Sequence, residues 1–259
     1  ADPGDHHRVA SPRPELLDPR RNPPIVVSAS RLQALGTCPL RYLHEAVLGI
    51  HPPDDPELDP DRWLDALRSG GLLHQVYEQT LREAKGRGVA MSDDAFEALA
   101  LEALAQGIAR MRVEVPVPGE GALQRETTAR RNDVRSFVRM VRQRGAPWIA
   151  LELAFGLADD EPVSIDVPGG TLRLRGAVDR VDEDLSGLTV IDYKTGVPRA
   201  FAGTGTFDGG RRLQHALYAL VAEARLRGTV VSGEYHFPTM RGQNEVVPFD
   251  RLRIAGVHG

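Results

Sequence analysis

Two aspartates and a lysine, Asp179, Asp192 and Lys194, stand within GAVDRVDEDLSGLTVIDYKTG, the stretch from Gly176 to Gly196. Two alternating runs, Thr171 to Asp182 and Leu188 to Lys194, flank the turn-rich Asp184-Leu185-Ser186-Gly187, a pattern that predicts an antiparallel hairpin. With residues 184 to 187 as the loop, Glu183 faces Leu188. Continued outward, the ladder sets Asp179 opposite Asp192 with their Cβ atoms roughly 5 Å apart. Like charges in that arrangement repel unless a cation sits between them, and a divalent ion with hard oxygen ligands meets the need. Lys194, two residues past Asp192, emerges on the same face, where its ammonium can orient a water or stabilise charge on a phosphate. Such a constellation suits phosphodiester hydrolysis.

An exposed hairpin with solvated acids is the commoner origin of two aspartates and a lysine. The neighbours argue otherwise here. Leu172, Leu174, Val178, Val190 and Ile191 supply apolar residues to both faces, as expected of central strands, where an unpaired carboxylate is costly. Only Lys85 and Lys194 of the 32 basic residues are lysines, so a lysine beside Asp192 suggests a chemistry that arginine does not supply.

Other residues gain interest from this company. His74, in GGLLHQVYEQTL, shares its helix with Leu73, Val76, Tyr77 and Leu81. Alone it reads as a packed or partly exposed helix histidine; beside two aspartates, its imidazole can fill an open metal position, favouring Mn²⁺ while allowing Mg²⁺. Gln214 and Tyr218 lie four apart on one helix face, with polar tips suited to a phosphate or to the lysine; Tyr218 reads equally as a core residue with its hydroxyl at the rim. His215, one step around, reads as solvent-facing or structural. Glu152, in IALELAFGL, is given a minor place near the metal or among its supporting residues. Arg131, Arg135, Arg139 and Arg142 form a basic stripe that suits either a DNA backbone or a solvated helix face.

The elements that must position these groups fall into two halves. A helix is predicted from Ser28 to about Leu48, with Ser30 and Gln33 in capping-box spacing and a kink at Cys38-Pro39. A Pro/Asp-rich loop at 51–60 leads to helices at 62–85, 92–112 and 121–144. After Pro147 strands are expected at 148–157, 163–167, 171–182 and 188–194, then a helix at 211–227 and strands at 229–237 and 244–249. The reading is an α/β protein: a linker at 1–24, a helical part at 25–146 carrying His74, and an α/β core at 147–259. The 259 residues are 41% hydrophobic and suffice for a sizeable core. A net charge of −4 gives no basic field, so any DNA contact must be local. One cysteine, Cys38, fits a reducing compartment. No apolar run reaches 18 residues and no signal peptide is evident, so a soluble, cytoplasmic protein with no membrane partner is expected. The Ala1 start and the Pro/Asp/Arg-rich opening suggest a segment of a longer polypeptide.

Four motifs together resemble the RecB-like branch of the PD-(D/E)XK nuclease superfamily, most closely the C-terminal nuclease domains of AddB- and AdnAB-type helicase-nucleases: SASRLQALGTCPLRYLHEAVLGI from Ser28, GGLLHQVYEQTL around His74, the GAVDRVD and VIDYKTG pair, and LQHALYAL around Gln214. The resemblance spans roughly residues 28 to 220. It implies a restriction-endonuclease-like core, a mixed β-sheet flanked by helices, preceded by a helical subdomain. It further implies that His74, Asp179, Asp192 and the Tyr193 carbonyl bind Mg²⁺ or Mn²⁺, that Lys194 is the catalytic lysine, and that Gln214 and Tyr218 form the QxxxY motif near the DNA. The implied activity is a deoxyribonuclease, often exonucleolytic, acting on a single strand or duplex end beside a helicase domain or subunit in double-strand break repair and recombination. Many AddB-like members also hold an iron–sulfur cluster on four cysteines. Here Cys38 matches the first and the other three are absent, so no cluster is expected in this chain. Two rivals stay open: a non-catalytic DNA-binding or scaffolding module of a helicase complex, and an RNA-directed or CRISPR-adaptation nuclease of the same superfamily.

Overall fold

The computed structural model describes residues 18–20, 25–51, 59, 61–201 and 207–250, without the side chains of 200, 201 and 250. Most of the expected linker, and most of the loop at 51–60, lie outside these residues. The chain divides into two units: 1–51, 154–176 and 209–213 make the first, and 52–153, 177–208 and 214–259 the second.

In the first unit β1 (Val26–Ser28) pairs in parallel with β4 (Gly170–Asp184), Val27 opposite Leu174. The antiparallel strand β3 (Val163–Val167) runs beside β4 with Val163 opposite Leu174. Helix α1 (Ala29–Thr37) follows β1 at once, because Ser28 caps it by accepting the Arg31 N–H at 3.3 Å. The cap is therefore Ser28 rather than Ser30, whose hydroxyl meets Ser28 Oγ at 2.9 Å. The expected break falls where Cys38 turns extended and Pro39 starts a new helical turn, continuing into a π-helical segment, Tyr42–Val47. Strand β1 was not expected, because its alternation is too short to register, and only its last residue, Ser28, falls in the expected helix.

In the second unit, α2 (Ala66–Arg87) begins where Asp65 accepts the Arg68 N–H at 2.7 Å and ends at Gly88, in the left-handed region at φ 67°. Its apolar stripe Leu72, Leu73, Val76, Tyr77, Leu81 and Ala84 recurs at helical spacing and is buried. With α3 (Asp94–Glu114) and α4 (Glu120–Arg144) it forms a core that also takes in Ile191 and Tyr193. Those two belong to β5 (Gly187–Tyr193), in which every residue from Leu188 to Tyr193 is buried. Strand β2 (Trp148–Phe155), shared between the units, pairs with β4.

The second half of β4 pairs antiparallel with β5, which pairs in parallel with β6 (Val230–Phe237), itself antiparallel to β7 (Glu245–Asp250). Helix α5 (Gln214–Leu226) packs on β5 and β6. A mixed sheet with flanking helices, and with helices preceding it in the chain, is a restriction-endonuclease-like fold. The β4–β5 turn is shorter than expected, two residues, Leu185 and Ser186, but Glu183 still faces Leu188. Asp184 supports the tight turn by accepting the Ser186 N–H at 2.7 Å.

Candidate active site

The pairing of β4 and β5 runs outward from Asp184 and Gly187 as far as Arg180 opposite Ile191. Beyond it the Asp179 side chain takes a main-chain role: its Oδ2 accepts the Tyr193 N–H at 2.7 Å. The same oxygen lies 3.5 Å from His74 Nδ1. His74 reaches this point because it follows the buried Leu73 and precedes Val76 and Tyr77 by less than a turn of α2, so the edge of the apolar stripe faces β5. The Tyr193 ring stands edge-on to the rings of His74, Tyr77 and Phe137, with Tyr77 stacked on Phe137 at 4.1 Å.

Glu152 joins them. One ligand atom each from His74, Glu152 and Asp179 lies within 4.8 Å of the other two, the one such cluster of metal-binding residue types among the described residues. Within β2, Glu152 sits at φ 45°, in the left-handed region, which costs a non-glycine residue about 1–3 kcal/mol. Strand alternation breaks there, a change of local direction that sequence periodicity does not reveal. Burial, then the Asp179 and Glu78 charges, push the Glu152 carboxyl up to about 7. For His74 burial disfavours the charged form, but the Asp179 carboxylate, helped by Asp192 and Glu152, outweighs it and raises the imidazole above its ordinary value.

Asp192 lies outside that trio and is 5% exposed. Its Oδ2 is 2.5 Å from the Lys194 ammonium, a close ion pair. Burial raises its pKa, Lys194 opposes this, and Asp179 adds to it. The Lys194 ammonium also donates to Gln214 Oε1 at 2.7 Å and lies 5.3 Å from the centroid of the Tyr235 ring. Gln214 Nε2 in turn donates to the Tyr218 hydroxyl at 3.4 Å. The helical spacing of Gln214 and Tyr218 thus makes a short relay ending on the lysine. Burial pushes the Tyr218 phenol up to about 12, keeping it a neutral hydroxyl. Tyr235 carries no signal in the sequence, because its place under Lys194 depends on the parallel pairing of β5 with β6.

The residues His74, Asp179, Asp192, Tyr193, Lys194, Gln214 and Tyr218 are thus assembled at one end of β5. His215 is structural: buried, it stacks on Phe249 at 4.1 Å and bonds the Tyr235 hydroxyl. The arginine stripe is largely engaged within the protein. Arg135 pairs with Glu97, Arg139 donates to Ser136, and Arg142 donates to the carbonyls of Met91 and Asp93. A groove lined by Gln75, Glu78, Gln79, Arg82, Glu83 and Arg110 excludes the trio, and its Arg82–Glu78 pair at 2.7 Å neutralises part of its charge.

The donor set fits a hard divalent cation. It offers two carboxylates and an imidazole, and a cation would offset both the burial and the neighbouring charges of Asp179 and Glu78 that push the Glu152 carboxyl up. No described helix is long and apolar enough to cross a membrane. The family model of the PD-(D/E)XK nuclease superfamily matches residues 26–251. No curated protein matches the chain.

Proposed function

Since the chain belongs to the PD-(D/E)XK nuclease superfamily, we propose that it is a metal-dependent DNA nuclease working through His74, Glu152, Asp179, Asp192 and Lys194. The observation that carries this reading is the joining of two groups at one strand end: the His74, Glu152 and Asp179 donors, and an ammonium oriented by Asp192 and Gln214. Mg²⁺ or Mn²⁺ would be held by His74, Asp179 and Glu152, with Asp192 and the Tyr193 carbonyl as further ligands; it would polarise a phosphate and acidify a water. Asp179 fixes the end of β5 through the Tyr193 N–H. Lys194, held by Asp192 and Gln214, presents its charge to the attacking water or to the negative charge that develops on the phosphate. Gln214 and Tyr218 set the direction of that ammonium. The motif set supports a RecB-like, AddB-type nuclease domain that takes a strand from a helicase partner, degrades it as an exonuclease and serves double-strand break repair.

Cleavage of end-labelled linear single- and double-stranded DNA with Mg²⁺, with Mn²⁺ and with EDTA tests this. Metal-dependent cutting should fall by at least roughly a hundredfold in Lys194→Ala and Asp192→Ala, the scale of losing one charge-stabilising group. A folded native protein that binds DNA and cuts neither substrate, with either metal, would sink the enzymatic reading in favour of a scaffold. Cutting confined to RNA would favour the RNA-directed rival.

A further inference from the structure

Strands β5 and β6 are parallel, with Tyr193 opposite His236 and the Lys194 N–H donating to the His236 carbonyl at 2.7 Å. The chain therefore leaves β6 at Phe237 on the same end of the sheet where it leaves β5 at Lys194. The segment that follows, Pro238–Asn244, is a turn tied down from several sides. The Pro238 carbonyl accepts the hydroxyl of Tyr77, three residues after His74 on α2, at 3.4 Å. The Met240 N–H donates to Asp133, a 5% exposed carboxylate on α4, at 2.8 Å. Asn244 Oδ1 accepts the Ser136 hydroxyl at 2.7 Å. Within the turn, Thr239 Oγ1 accepts the Gly242 N–H at 2.9 Å. A Cβ on Gly242 would lie 2.6 Å from Phe237, and Gln243 and Asn244 both sit at φ 56°, so the turn keeps one tight course.

Two side chains stand apart from this anchoring. Met240 is 57% exposed, and Arg241, also exposed, makes no hydrogen bond or ion pair among the described residues. An apolar side chain and an unpaired cation, adjacent on a rigid turn, match the two surfaces of a nucleic-acid strand: phosphate for the guanidinium, and sugar or base face for the thioether. The carboxylates near Lys194 repel a polyanion, so a strand held there needs a cation outside the donor cluster. We infer that Pro238–Asn244 is a DNA-strand contact beside the active site, with Arg241 on a backbone phosphate and Met240 against the neighbouring sugar or base. This rests on the nuclease reading above.

Binding of a fluorescein-labelled single-stranded oligonucleotide in EDTA separates contact from cutting, and steady-state cleavage with Mn²⁺ follows. Arg241→Ala should weaken binding roughly fivefold near 0.1 M salt and lower the slope of log affinity against log salt by about 0.7, the signature of one lost single-strand phosphate contact. KM should rise with kcat nearly unchanged, Met240→Ser should weaken binding without changing the slope, and Arg241→Glu should weaken it further. Arg87, thirteen residues and about 20 Å further along α2 than His74, is the control, and Arg87→Ala should match the native protein. If the native protein binds and Arg241→Ala leaves affinity and slope unchanged, the turn contact is overturned, while nuclease activity is judged separately by the Mn²⁺ arm. If the native protein binds but does not cut, a lost Arg241 slope still supports the contact. A native protein that neither binds nor cuts removes both readings.

Discussion

Glu152 couples backbone strain to charge more directly than any other residue near the candidate site. It sits at φ 45° inside a strand, and its carboxyl, raised by burial and then by Asp179 and Glu78, joins His74 and Asp179. Glu152→Gln keeps the shape and removes the charge, so the Mn²⁺ concentration for half-maximal cleavage should rise about tenfold or more. Metal-titrated activity, with circular dichroism to confirm folding, checks this. At Lys194 the demand is geometric: an ammonium fits between Asp192 and Gln214, whereas a planar guanidinium is longer and differently directed. Lys194→Arg should therefore stay within about threefold of Lys194→Ala in cleavage rate, and substantial rescue would argue for charge alone.

The β4–β5 hairpin sets the site through its register, and its tightest constraint is Gly187. This glycine sits at φ 135°, and a Cβ there would lie 2.5 Å from the Thr229 carbonyl oxygen. Gly187→Ala should destabilise the protein by about 1–3 kcal/mol, measured by denaturant unfolding, and should depress cleavage by loosening the end of β5. The hairpin and its register were legible in the sequence because alternation, a turn cluster and the position of the acids all agreed. The α2 stripe was legible by its helical spacing, which also set His74 among its apolar neighbours Leu73, Val76, Tyr77 and Leu81. The rest was hidden for physical reasons. A three-residue strand such as β1 offers no periodicity. Glu152 was visible only as an acid in an apolar strand, since a left-handed residue inside a strand leaves no compositional mark. The arginine stripe does lie at the surface, with Arg131, Arg135 and Arg139 exposed, but composition does not show its partners Glu97, Ser136 and the carbonyls of Met91 and Asp93.

Across the second unit, stability and site are linked by a buried ionic network. Arg180, 1% exposed, bonds Asp182, the Ala146 carbonyl and the Tyr193 hydroxyl, while Arg144 bridges Asp182 and Glu234, and Glu234 meets His236 at 2.6 Å. Burial lowers the His236 pKa below 6.5; Glu234 opposes this, and Arg144 and Arg180 reinforce it. The native state then holds the imidazole neutral where the unfolded chain takes a proton. This stability is complete above pH 6.5 and is lost as pH falls through 6.5 toward the native pKa. Thermal unfolding should show the native midpoint dropping between pH 7 and 5 more than that of His236→Gln. Added Mn²⁺ at a hundred times its dissociation constant should stabilise the native protein by about 2.7 kcal/mol, and Asp179→Ala should erase that shift. The second unit is assembled from three stretches of chain: His74 and Glu152 come from the first, Asp179, Asp192 and Lys194 from the second, and Gln214 and Tyr218 from the third. A single cut in the Pro168–Gly169 turn between β3 and β4 therefore leaves two incomplete fragments, one holding His74 and Glu152 and the other the remaining groups. Catalysis recovered on mixing them would report their reassociation, giving a nuclease that can be switched on by whatever brings two polypeptides together.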